Sequence, residues 1–100
     1  MSRGLENQLF QLKFTAKQLT RESARCEKNC IANKTKCKTA MQKGNNDGAR
    51  IYAENAIREK NQALNFLRLA SRIDAVAQRV NTACKMTARI AALPGMMTVR

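Results

Sequence analysis

Histidine and tryptophan are absent from this sequence, proline occurs once, at position 94, and glycine four times. Each absence excludes something. Without histidine, the side chain that most often titrates near neutrality is missing, and general acid–base catalysis would have to be built from strongly shifted carboxylates, lysines or thiols. The four aromatic side chains, Phe10, Phe14, Tyr52 and Phe66, are too few to anchor a compact globule on clustered rings. No run of about 18 apolar residues is present, so no segment is expected to cross a bilayer, and MSRGLENQLF at the start lacks the apolar core of a secretory signal. Acidic residues are scarce as well: seven Asp and Glu stand against nineteen Lys and Arg, a net charge of +12. Such a surplus repels itself unless it faces a polyanion, whether nucleic acid, anionic lipid or an acidic protein segment. The field is denser in residues 1–43, with ten basic and three acidic side chains (net +7), than in residues 44–100, with nine and four (net +5). At 100 residues the chain is one domain at most, with a modest core.

What is present is periodic. Leu5, Leu9, Leu12, Ala16, Leu19, Ser23, Cys26, Cys30, Asn33, Cys37 and Ala40 recur at alternating intervals of four and three, the mark of one unbroken helical stripe. The spacing predicts a helix over 5–42, roughly 55 Å long at 1.5 Å per residue. Its stripe changes from leucine to serine, cysteine and asparagine, so its grip on a partner should weaken toward the far end. KGNNDG at 43–48 then supplies a stop and a start: Gly44 can take the left-handed conformation that ends a helix, Lys43 suits the last carbonyls, and Asn46 or Asp47 can cap the next helix. That second helix is expected over 49–90, with Ala53, Ala56, Ile57, Ala63, Leu64, Leu67, Ala70, Ile73, Ala77, Val80 and Cys84 as its stripe. Small stripe residues permit close helix approach. The fold expected is all-α: a long antiparallel two-helix hairpin, closed or opened out, over residues 1–83, followed by a divergent tail over 84–100 with a Pro–Gly breaker.

Chemistry is thin. A helical, lysine-rich chain without a signal peptide is poor ground for a disulfide framework, so the four cysteines are read as reduced thiols. Cys26, Cys30 and Cys37 share one helix face, but they fall on the stripe needed for packing, and Cys84 lies opposite the chain start in a hairpin. No metal and no cofactor is expected. Glu54, Glu59 and Asp74 are dispersed along the second helix and are expected to contact Arg58, Lys60 or Arg72 rather than to pair for acid–base work. No catalytic residue is identified, and an enzyme is not expected. By contrast, Leu9, Phe10 and Phe14 interleaved with Lys13, Lys17, Arg21 and Arg25 suit an amphipathic helix lying in a bilayer interface. Leucines packing on the second helix would not conflict with that, because the two phenylalanines lie off the leucine stripe.

The segments LFQLKFTAKQL at 9–19, QKGNNDGARIYAENAIREKNQALNFLRLASRIDAVAQRV at 42–80 and NTA at 81–83 resemble the start of ESCRT-III subunits of the type-1 charged multivesicular body protein family. The resemblance covers roughly four fifths of the chain. It implies a basic helical hairpin that is cytoplasmic, peripheral on endosome or multivesicular body membranes, and polymerises there as a membrane-remodelling scaffold. The partners implied are the anionic endosomal membrane and other ESCRT-III subunits, in a homo-oligomer or hetero-polymer. Leu9, Phe10, Lys13, Phe14, Lys17, Arg21 and Arg25 are the residues assigned to membrane binding, and Arg50, Tyr52, Glu54, Arg58, Arg68, Arg72 and Asp74 to self-assembly. CKMTARIAALPGMMTVR at 84–100 does not continue the family pattern, in which an acidic half and a terminal helix recognised by an AAA ATPase come next. ATPase binding is therefore not expected, and unrestrained self-association is. Two other readings compete: a basic helical nucleic-acid-binding protein, which the charge alone allows but which lacks a stacking platform or base-reading module, and a non-functional truncated product.

Overall fold

The structure, a computed structural model, describes residues 2–97, with the side chains of 3–94. Two helices account for it: α1 (Ser2–Gln42) and α2 (Asn46–Met97). They fold back on each other into a rod of 86 × 16 × 12 Å. Cross-helix contacts fix the antiparallel register, because they run backward along the second helix: Ser23 Oγ donates to the Ala63 carbonyl at 2.8 Å, Cys26 Sγ meets Gln62 Oε1 at 3.9 Å, and Glu27 pairs with Lys60 at 3.1 Å. The all-α hairpin expected from the sequence is the fold observed, in its closed form.

The turn is set by Gly44, Asn45 and Gly48. Gly44 has φ of +76°, a conformation that costs a residue with a Cβ about 1 kcal/mol or more. With Gly44 left-handed, its own N–H reaches the Met41 carbonyl at 3.1 Å and the Asn45 N–H reaches the Ala40 carbonyl at 2.8 Å, the paired bonds of a Schellman ending. Asn45 then turns from stop to start. Its Oδ1 accepts from the Gly48 N–H at 2.9 Å and its carbonyl accepts from the Ala49 N–H at 3.0 Å, which makes it the N-cap. The cap is thus one residue earlier than Asn46 and two earlier than Asp47, because the Schellman bond already holds Asn45 at the helix mouth. Asp47 instead sits in the first turn, where its charge favours the positive end of the helix. Gly48 lies beneath the capping amide: a Cβ there would fall 2.8 Å from Asn45 Cγ.

Between the helices the buried side chains are small. Ala49, Ala56, Ala63, Ala70 and Ala77 are all buried on α2, each seven residues from the next. They face Ala16, Ser23, Cys26, Cys30 and Ala40 of α1, and every position of the stripe expected on α1 is buried or half-buried. A serine hydroxyl can reach a carbonyl of the opposite helix only when the backbones run close, and alanine permits that approach. One methyl buries little, on the order of 0.8 kcal/mol; the close approach adds dispersion contact between the backbones themselves.

On α2 the alternation of three and four starts from Ala49, which puts Tyr52, Glu59, Phe66, Ile73 and Val80 in the half-buried positions between the alanines. Ile57, Leu64 and Leu67, expected in the stripe, are 62%, 39% and 50% exposed. They sit one step off the seam: a bulky residue there would hold apart helices that the alanines bring together. At its other end α2 runs past position 90 and through Pro94 to Met97. Proline removes a single rung of backbone hydrogen bonding so close to the end. The last three positions of the expected tail, 98–100, lie outside the described residues.

Replacing Ala63, 1% exposed, by leucine should cost about 1–3 kcal/mol through overpacking, and Asn45→Ala about 1 kcal/mol through the lost cap. Ile57→Ser should stay within about 0.5 kcal/mol of the parent. Urea unfolding followed by circular dichroism measures all three.

Candidate functional site

A helix that commits one stripe to its partner exposes the rest, and on α1 the rest is basic and aromatic. Phe10 and Phe14, one turn apart, stack with ring centroids 6.3 Å apart and planes 15° from parallel. They are 65% and 44% exposed. Lys13, Lys17 and Arg21 recur at the same helical spacing and line one wall of an open groove between the helices, with Leu67, Ser71 and Asp74 on the other wall. Five of the seven residues expected at a membrane, Phe10, Lys13, Phe14, Lys17 and Arg21, therefore share one side of the rod. Leu9 is half-buried in the seam, so it supports the hairpin. Arg25, farther round the helix, is exposed and contacts half-buried Glu22 at 3.4 Å.

The residues assigned to self-assembly divide similarly. Glu54, Arg58, Arg68 and Arg72 are all exposed, and their spacing of four, ten and four repeats along one edge of α2. Two arginines are held alike: Arg58 donates to Asn55 Oδ1 at 2.6 Å and Arg68 to Asn65 Oδ1 at 3.4 Å, each to an asparagine three residues earlier. Carboxylate contacts expected for Arg58, Lys60 and Arg72 within α2 do not form; Lys60 instead crosses to Glu27 of α1. Arg50 is exposed beside the turn and Asp74 lines the groove. Tyr52 is half-buried, with the Lys36 ammonium 5.9 Å from its ring centre. It ties the helices together near the turn.

Among the described residues there are two ion pairs, Arg25–Glu22 and Lys60–Glu27. Most of the basic excess is therefore left unneutralised on the surface. The exposed apolar residues Ile57, Leu64 and Leu67 interrupt that field. The sequence signal that would have placed them outside was available: five alanines at intervals of seven mark the seam more reliably than the largest side chains do.

The thiols belong to the seam. Cys26 and Cys30 are buried, Cys37 and Cys84 half-buried, all four unbonded, and the described residues hold no cluster of three metal-ligating groups. Desolvation pushes the Cys26 thiol above its usual range, and the Glu59 carboxylate beside it pushes the same way, against a smaller opposing pull from Arg25. Glu59 Oε2 is itself buried without a hydrogen-bond partner. Raising the pKa favours the neutral thiol in the folded state, so this contribution is complete below about pH 9, the ordinary thiol value, and is lost as pH rises through the folded value. At pH 8 a thiol-specific reagent should modify Cys37 and Cys84 first and Cys26 and Cys30 last. Mass spectrometry of the labelled peptides reads the order.

No family model matches the sequence. Curated relatives do. The chain is 67% identical over 82 residues to charged multivesicular body protein 1 of Dictyostelium discoideum, covering 82% of this chain and 43% of that protein. It is 60% identical over 83 residues to the "ESCRT-related protein CHMP1B" of Arabidopsis thaliana, covering 83% and 41%. With charged multivesicular body protein 1b of Homo sapiens it shares 58% over 74 residues, covering 74% and 37%. The chain thus spans about two fifths of the length of the curated relatives it matches.

Proposed function

Over the matched four fifths of its length the chain belongs to the charged multivesicular body protein 1 family, and from that premise we propose that it is an ESCRT-III subunit of multivesicular body sorting that binds anionic membrane through α1 and assembles through α2. The observation that carries the membrane half is the exposed Phe10–Phe14 stack set among Lys13, Lys17 and Arg21. Two exposed rings are unfavourable in water and favourable at the level of lipid headgroups, where the ring is buried and the flanking cations remain wet. Each basic side chain near an anionic surface adds on the order of 1 kcal/mol. The three cations are weak singly and sufficient together.

The assembly half is supported by shape and by the outward edge of α2. A rod of 86 × 16 Å offers far more lateral surface than end surface, so copies lying side by side bury the most area. Glu54, Arg58, Arg68 and Arg72 along one edge give such contacts both signs of charge, with the two asparagine-held arginines aimed in advance. The chain acts by binding and shaping rather than by catalysis, on the cytosolic face of endosomes and in company with other ESCRT-III subunits.

Vesicles of phosphatidylcholine with about one third phosphatidylserine should sediment the protein, less so as salt rises. Reversing Lys13, Lys17, Arg21 and Arg25 to glutamate should remove most of the sedimentation at the same lipid concentration while the hairpin's circular dichroism is unchanged. Equal sedimentation by the reversed protein would remove α1 from the membrane. Tighter binding to an oligonucleotide than to these vesicles, at the same salt, would favour the nucleic-acid reading instead.

A further inference from the structure

Counting outward from the Ser23–Ala63 bond, twenty-one residues lead back to Ser2 and twenty-one lead on to Cys84. Beyond that point α2 continues to Met97 with no described residue of α1 beside it. A second apolar stripe, distinct from the alanine seam, runs along the outer side of α2 and into this unaccompanied segment. Leu69, Val76, Ala83 and Ile90 recur every seven residues, and Met86 and Leu93 fall on the same side; Met86, Ile90 and Leu93 are 52%, 60% and 47% exposed.

We propose that this stretch of α2 is a second membrane-contact element, lying in the interface of an anionic bilayer on its Met86–Ile90–Leu93 side. It deepens the membrane reading given above and rests on it. Charge selects the occupant. After Asp74 the sequence has no acidic residue, while Arg79, Lys85 and Arg89 are all basic, so the segment complements an anionic surface. The threonine hydroxyls are already satisfied: Thr82 Oγ1 donates to the Gln78 carbonyl at 3.0 Å and Thr87 Oγ1 to the Ala83 carbonyl at 2.9 Å, so neither hydroxyl carries an unmet hydrogen bond into the interface. Between Ala83 and Pro94 the only charged residues are Lys85 and Arg89. Their long stems let the cations reach headgroups while the helix lies below them. A partner helix would cover the stripe alone, whereas the alanines at 88, 91 and 92 leave little on the segment that resists a lipid interface. The segment is too short and too charged to span: no described helix is long and apolar enough to cross a membrane.

The chain has no tryptophan, so one introduced residue reports alone. In the full chain, Ile90→Trp fluorescence should shift to shorter wavelength on adding phosphatidylcholine–phosphatidylserine vesicles and be quenched by brominated acyl chains. Ala88→Trp, on the opposite side of the helix, should be quenched less. Changing Met86, Ile90 and Leu93 together to serine should weaken vesicle affinity about tenfold or more without altering the hairpin, since all three lie outside the seam. Sedimentation of the parent without any Ile90→Trp shift would overturn this proposal and leave the membrane role of α1 standing. Weaker sedimentation by both the α1 charge-reversed protein and the serine variant, with the Ile90→Trp shift retained in the charge-reversed protein at higher lipid, would support it and show that the two contacts act separately, whereas unchanged sedimentation by the serine variant would overturn it. A shift that grows with protein concentration and needs no lipid would overturn it in favour of a second copy on the stripe.

Discussion

Everything outward-facing in this molecule depends on how closely two helices approach along a ladder of alanines. With Ala49, Ala56, Ala63, Ala70 and Ala77 spaced by seven, the seam occupies one narrow stripe on α2, and no large side chain among the described residues is fully enclosed. A broader seam of leucines would have consumed Ile57, Leu64 and Leu67. A narrow one releases them, together with most of the basic residues, to the surface. The hairpin holds itself together with its smallest side chains and presents its largest ones.

The register of the ladder is defined at the turn and again midway along the seam. At the turn, Gly44, Asn45 and Gly48 leave no slack: one residue ends α1, the next begins α2, and the last makes room for the cap. In the middle, the Ser23 hydroxyl on the Ala63 carbonyl is a polar contact that a slip of one residue would break, leaving a buried hydroxyl unsatisfied. Specificity therefore comes from few polar atoms in a seam otherwise tolerant of sliding. It keeps Phe10, Phe14 and the α1 cations on one side of the rod.

Sequence reasoning read α1 well because its stripe alternates strictly and its outward residues differ sharply in kind from its inward ones. It misread α2 for a physical reason. Where Ile57, Leu64 and Leu67 compete with alanines for the seam, hydrophobicity ranks the large residues first and packing ranks them last. Half-buried Glu59 and Tyr52 were invisible for the same reason, since neither looks like seam material by composition. The cap was displaced because Asn45, Asn46 and Asp47 are all competent and only the Schellman bond to Ala40 chooses among them. The candidate surfaces were legible as residue types. Their pairings were not: Lys60 finds Glu27 thirty-three positions away, and Arg58 and Arg68 prefer neighbouring asparagines to carboxylates.

A core of methyl groups also sets how the hairpin responds to temperature. The heat-capacity increment of unfolding scales with the apolar surface that becomes hydrated, and a seam whose fully buried positions are alanine, serine and cysteine, with its larger side chains only half-buried, hides less of it than a leucine-filled core. The stability curve of such a hairpin is correspondingly shallow, with neither a pronounced optimum nor a steep decline on cooling. Its two helices hold together with nearly the same modest free energy across the range of temperatures over which a leucine-filled bundle of equal length would stiffen and soften.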